Sequence, residues 1–180
     1  LLSVAVMVMA LAGTAQVICY VEPPSTNSGI YDFTYATVAN GWGVNDLTIP
    51  ANSVNGFMAF ATDATAADSL ACNAVTSDVN GKIAVLYRGS CEFGLKALNA
   101  QTAGAIAVII INNVPGAPQG MLAGASGASV TIPVVMVSDA TGALLKAEIE
   151  AGTSTAFIGS KTGNYPYDLG FYNKHVLRAE

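Results

Sequence analysis

Residues 81–113, GKIAVLYRGSCEFGLKALNAQTAGAIAVIIINN, narrow the choice of fold more than any other stretch of the chain. Two runs rich in Val and Ile, 83–87 and 105–111, are bounded by Gly or Asn. No polar residue alternates within them, so they read as strands buried on both faces. Between them, residues 91–103 favour a helix and Gly104 stands where a helix stops. Ser90 is available as its N-cap, Glu92 suits the positive end of the helix dipole, and Lys96 lies four residues on, in reach of Glu92. Phe93, Ala97, Ala100 and Gly104 make a narrow, mostly small face that lets the helix lie close to a sheet. Strand, helix and strand at this spacing form a crossover unit, which makes the two strands parallel neighbours.

The same residues resemble a known family. Gly81-Lys82-Ile83-Ala84-Val85-Leu86, Arg88-Gly89-Ser90-Cys91-Glu92-Phe93, Lys96, Ala100-Gln101, Ala103-Gly104-Ala105 and the run from Val108 to Asn112 are similar to the core of a protease-associated (PA) domain. Thr131-Ile132-Pro133-Val134-Val135 and residues 139–145 resemble its second half. The resemblance covers roughly residues 52–158. It implies an α/β fold of the swivelling β/β/α kind, a sheet with parallel core strands and two main helices. It also implies a non-catalytic module that restrains substrate access or binds peptide and protein partners, of the sort that accompanies secreted peptidases and sorting receptors. No catalytic residue carries over from it, because the shared pattern is structural.

The 180 residues suffice for one domain with a real core. Residues 1–15, LLSVAVMVMALAGTA, form an apolar run ending in small residues, with Gly13 and Ala15 suited to a signal-peptidase cut near Gln16. A basic start and a Met are missing, so a signal peptide truncated at its beginning is expected. The rival reading is a membrane anchor over residues 1–21, which Thr14 and Gln16 fit badly. Both readings put the rest of the chain outside the cytoplasm, and the first leaves it secreted, with no membrane contact after cleavage. Cys72 and Cys91 flank the first core strand. On the residues alone they are either a bridge, permitted in an oxidising compartment and worth about 3 kcal/mol, or two small buried hydrophobes. The resemblance implies the bridge. Cys19 is then left over.

The remaining stretches group around the crossover unit. Residues 22–29 read as a linker, and 30–39 as a half-buried strand with Tyr31, Phe33 and Tyr35 alternating. Trp42 in a Gly-Trp-Gly turn is expected to tuck over an edge. A short strand over 57–61 follows an Asn55-Gly56 turn, and 62–80 is a polar loop holding Cys72. Residues 114–130 form a long uncharged loop, functional or mobile by its length. A third buried strand over 132–137 leads to a helix capped by Ser138 or Asp139, with Leu145 and Ile149 inside and Gly152 at its end. A last strand spans 153–158, and 159–180 is a linker and tail that could lead to a further module. Residues 16–51 are the N-terminal linker and strand, and 52–158 the PA domain proper.

Charge and residue supply exclude several functions. A net charge of -5 with scattered basic residues is unsuited to nucleic acid. The one His, His175, lies in the tail, so a triad with Ser138 and Asp139 needs the tail to fold back. One His and three Cys do not make a zinc site, and Asp63, Asp68 and Asp78 lack calcium-loop spacing. The glycines of 116–127 have no Lys or GK[ST] beside them, so no phosphate loop and no cofactor are expected. What remains is a binding surface. Ligands prefer the loops beyond the carboxyl ends of parallel strands. Those ends carry Arg88 after the first strand, Asn112 and Asn113 after the second, and Ser138-Asp139 after the third. Arg88, Asn112 and Asn113 are the candidate contact residues for a peptide or protein partner. Taken singly, each reads first as structural: Ser90 and Ser138 as helix caps, Arg88 as paired with a carboxylate, and the Asn side chains as turn fillers. The overall expectation is a non-catalytic protein- or peptide-binding accessory module of a secreted protein. The alternative is the accessory domain of a secreted peptidase whose catalytic domain lies beyond residue 180.

Overall fold

The Val- and Ile-rich runs pair side by side. In a computed structural model that describes residues 16–66 and 68–160, β5 (Ile83–Tyr87), β6 (Ala107–Ile111) and β7 (Val134–Val137) are parallel neighbours. Helix α1 (Phe93–Thr102) joins β5 to β6, and α2 (Asp139–Glu150) follows β7. The outer strands are β1 (Val17–Val21), β2 (Gly29–Ile30), β3 (Phe33–Tyr35), β4 (Val54–Phe60) and β8 (Thr155–Ser160). All belong to one eight-stranded sheet in the order β2-β1-β8-β4-β5-β6-β7-β3. The α/β class, the parallel core strands and the two helices are thus as the sequence indicates. Residues 1–15 and the tail with His175 lie outside the described residues.

The absence of alternation in the core strands has a direct cause. Ala84, Leu86, Val108, Ile110, Val134 and Met136 face one core, shared with Ala97 and Ala100 of α1 and with Trp42. Ile83, Val85, Ile109, Ile111, Val135 and Val137 face a second, shared with Leu145 and Ile149 of α2 and with strands β1 and β8. Both faces are covered, so every position is apolar. Trp42 is tucked inward, its indole N–H donating to the Met121 carbonyl at 3.0 Å.

The segment read as one strand over 30–39 is in fact divided. Ile30 ends β2 on one edge of the sheet and Phe33 begins β3 on the other, with only Tyr31 and Asp32 between them. The sheet therefore curls until its edges nearly meet. The alternation of Tyr31, Phe33 and Tyr35 survives, because all three pack on the second core. The Asn55-Gly56 pair is no turn either: both lie inside β4, where Gly56 pairs with Ala156. A Cβ there would come within 2.9 Å of Ile106, so close packing rather than a bend explains the glycine.

The start of α1 also departs from expectation. Ser90 sits at φ +62° and Glu92 occupies the cap position. Glu92 does not reach Lys96; its carboxylate accepts from the Ala125 N–H at 2.9 Å. Lys96 turns inward and is fully buried. Helix α2 is capped as expected, Ser138 Oγ accepting from the Thr141 N–H at 3.0 Å, and Gly152 at φ +65° follows its end.

Glu148 of α2 ties down the N-terminal segment. Its carboxylate accepts from the hydroxyls of Ser25, Ser154 and Thr26 and from the Asn27 amide. The Ser25 and Ser154 bonds, foremost among these, hold its pKa down at about 2, against an ordinary 4.5. A depressed carboxylate stabilises the fold above the unfolded-state value and loses that contribution as pH falls. The clamp should therefore be intact above about pH 4.5 and loosen between there and about pH 2. Amide-exchange protection at Ser25 to Ser28, taken relative to the intrinsic rate at each pH, should fall as pH drops through that window, and Glu148→Gln should remove most of the pH response. An unchanged response in the variant would refute the assignment.

Candidate functional site

The carboxyl ends of β5, β6 and β7 open on one side of the sheet, and the loop after β6 folds across them. Arg88 continues the pairing of β5, its N–H donating to the Ile111 carbonyl at 2.8 Å. Its guanidinium Nη1 then donates to Asn112 Oδ1 at 3.0 Å and to Gln119 Oε1 at 3.1 Å. The carboxylate partner considered for Arg88 is replaced by two amide oxygens, which occupy Nη1 but leave the charge unbalanced. Among the described residues the ion pairs are Lys82–Asp78 and Lys146–Glu150, and neither includes Arg88.

Asn112 is only 1% exposed and works as the loop's internal brace. Its Oδ1 also accepts from the Val114 N–H at 3.4 Å, and its Nδ2 donates to the Ala117 carbonyl at 3.2 Å. Asp139 accepts from the Gly116 N–H at 3.0 Å, and the Thr34 hydroxyl donates to the Gln119 carbonyl at 2.6 Å. The loop is thus held by four residues from four places, Arg88 after β5, Asn112 after β6, Thr34 of β3 and Asp139 at the start of α2, although its sequence of Gly, Ala and Pro suggests slack. Asn113 is exposed and lies beside Gly89, whose Cβ, if present, would sit 3.2 Å from its amide nitrogen. The structure therefore brings Arg88 and Asn112 into contact and sets Asn113 beside them on the surface.

An open groove of about 610 Å³ runs beside this loop, between Ile30–Asp32, Gly116–Pro118 and Ser138–Thr141. Beyond it the surface carries uncharged loops with bare apolar tips, Val38 at 69% and Leu122 at 78% exposure. Two features of this site escaped the sequence reading. Gln119 is one; the available signal was its being the only long polar side chain in the Gly- and Ala-rich stretch 114–130. The other is Tyr31-Asp32, which reaches the groove only because the chain changes sheet edge there.

Other chemistry is poorly supplied. Ser138 Oγ is engaged with the Thr141 N–H and hydroxyl, as a cap. Asp63 is buried and its carboxyl is held below the usual range, first by the Thr65 hydroxyl, which donates at 2.7 Å, and also by Asn73. Among the described residues no group of three or more His, Cys, Asp or Glu side chains is placed to hold a metal ion. Cys19 is a buried thiol whose pKa burial pushes up to about 12, which leaves it inert as a nucleophile. Cys72 and Cys91 form the bridge that the resemblance implies.

Comparison with known proteins agrees with this geometry. The family model described as "PA domain" matches residues 44–145. A probable leucine aminopeptidase 2 of Aspergillus fumigatus is 41% identical over 81 residues, 44% of this chain and 16% of that protein. Aminopeptidase YwaD of Bacillus subtilis is 44% identical over 80 residues, 42% of this chain and 16% of that protein. Among solved structures, the aminopeptidase from Aneurinibacillus sp. strain AM-1 superposes with a TM-score of 0.56 at 26% identity, covering 81% of this chain and 30% of its own. The match thus spans about a sixth of the curated relatives. Among the described residues no helix is long and apolar enough to cross a membrane.

Proposed function

This chain belongs to the PA domain family, and on that premise we propose that it is a non-catalytic, protein- or peptide-binding accessory module of a secreted protein. The observation that carries this reading is the braced loop over the strand ends. Arg88 is fixed by two amides and keeps its positive charge unspent, with exposed Asn113 nearby; the open groove borders the same loop at Gly116–Pro118. A fixed cation with neighbouring free amide groups suits a carboxylate or backbone carbonyl of a partner chain. Asn112 holds the loop in place from beneath. In this reading the module's work at the rim is to position a polypeptide.

The test uses the chain immobilised and exposed to extracellular medium and, separately, to a tryptic digest of casein. Arg88→Ala and Asn113→Ala should each reduce retention about fivefold or more. Their urea unfolding curves should overlay that of the parent. Equal retention by parent and variants would sink the rim as a binding site.

A second reading is favoured by one specific observation: the similar proteins include aminopeptidases in which the matched segment is a minor part. In it, the partner is a peptidase catalytic domain of the same polypeptide, beyond residue 180. Under this reading the isolated chain retains nothing from either mixture but binds the separately produced downstream domain. Hydrolysis of a leucine anilide by the isolated chain would refute both readings.

A further inference from the structure

Lys96 is fully buried, yet no carboxylate forms a salt bridge with it among the described residues. Its ammonium donates to the Leu70 carbonyl and lies 3.6 Å from Cys72 Sγ. Desolvation lowers its pKa to about 8, with the charge of Asp63 working in the opposite direction, so at neutral pH it is still mainly protonated. A cation set against one sulfur of a disulfide makes the two halves unequal. The sulfur beside the cation is the better leaving thiolate.

The backbone marks the same place. The residue before each half-cystine is a non-glycine in the left-handed region, Ala71 at φ +51° and Ser90 at φ +62°. Side chains rarely adopt that conformation. Here it occurs on both sides of one bridge. Both half-cystines are partly buried. Cys91 sits between exposed Ser90 and exposed Glu92, and Cys72 between buried Ala71 and exposed Asn73, so the difference between them is Lys96 against the Cys72 sulfur.

We propose that Cys72–Cys91 is a thiol-exchange site, opened by an external thiolate at Cys91, with Cys72 leaving as a thiolate received by Lys96. In the first step the incoming sulfur bonds to Cys91 Sγ as the Cys72–Cys91 bond breaks, and the electron pair departs on Cys72. In the second, another thiolate attacks the external sulfur of the mixed disulfide and releases Cys91, which takes a proton from solvent. Two thiols are oxidised to one disulfide and the protein bridge is reduced by the same two electrons. The reductant is any low-molecular-weight thiol or protein dithiol that can reach Cys91.

The opened form keeps its fold. The loop 62–80 stays held by the Thr76 N–H to Thr62 carbonyl bond, by Ser77 against Phe60 and Thr62, by Asn73 on Asp63 and by Asn99 on the Ala71 carbonyl. Buried Val79 anchors its far end. What is lost is the covalent tie of the turn Gly89–Cys91, which abuts Asn113.

The native chain should be incubated with millimolar glutathione, quenched with acid, alkylated and mapped by mass spectrometry. The expected result is glutathione on Cys91 and alkyl label on Cys72, with the far-ultraviolet circular dichroism unchanged. Lys96→Met should slow the first step about tenfold. A variant that was merely destabilised would open faster, so slowing marks the lost cation. Glutathione on Cys72, an even distribution, or opening only after the protein unfolds would each overturn the proposal. Should Lys96→Met fail to fold, the position of the adduct on the native chain decides.

Discussion

Replacing Gly94 by alanine should destabilise the domain by about 2 kcal/mol net, although alanine is the better helix former. Gly94 lies in the first turn of α1 and is buried against the loop that returns from the strand ends. A Cβ there would stand 2.0 Å from the Ala123 carbonyl oxygen, 2.4 Å from the Gly127 nitrogen and 2.7 Å from the Gly127 Cα. All three are backbone atoms, so no rotamer change relieves the clash. The helix or the loop must move, which costs about 3 kcal/mol on the scale of overpacked cores. Alanine's gain in helix propensity is about 1 kcal/mol and does not offset it. The measurement is urea unfolding, with the loss read as a fall in midpoint at unchanged slope. A variant as stable as the parent would mean that α1 does not lie this close to residues 123–127.

Ile110→Ala should cost still more, about 4 kcal/mol. Ile110 is fully buried in the middle of β6, opposite Leu86 on β5 and Met136 on β7. Strands hydrogen-bonded on both sides cannot close in on a cavity, so little relaxation is available. Ile149→Ala removes the same atoms from α2, a helix able to shift toward the sheet, and should cost about 2 kcal/mol. Equal losses at the two sites would show that the central strand yields as easily as the helix. Since domains are stable by only about 5–15 kcal/mol, the Ile110 variant should show a clearly lowered urea midpoint.

The central unit could be read from residues because its signals are local. Ile83 to Tyr87 and Ala107 to Ile111 are apolar throughout, and only a strand covered on both faces needs that. Ser138 capped its helix for an equally local reason. What escaped depends on residues far apart in the chain. Nothing near Tyr31 and Asp32 says that β2 and β3 belong to opposite edges; their partners, Val21 and Val137, decide it. Glu92 and Lys96 have the right spacing to pair, but each finds a better partner elsewhere, at Ala125 and at Leu70. For the candidate site, the strand-end rule located Arg88 and Asn112 in one place without a structure. It could not tell that Asn112 would be covered, because the cover, residues 114–119, is held by Thr34 of β3 and by Asp139 at the start of α2.

The pairing of β1 with β8 has a consequence for how such a domain is carried. Val17 is opposite Ser160, so the first and last described strands are immediate neighbours, about 5 Å apart. Polypeptide arriving at one and leaving at the other passes through a single doorway. A unit built this way can be spliced into a surface loop of a host without parting the host's own ends, and it tolerates circular permutation. The rim with Arg88, at the carboxyl ends of the parallel strands, then lies at the far end of the sheet from that doorway.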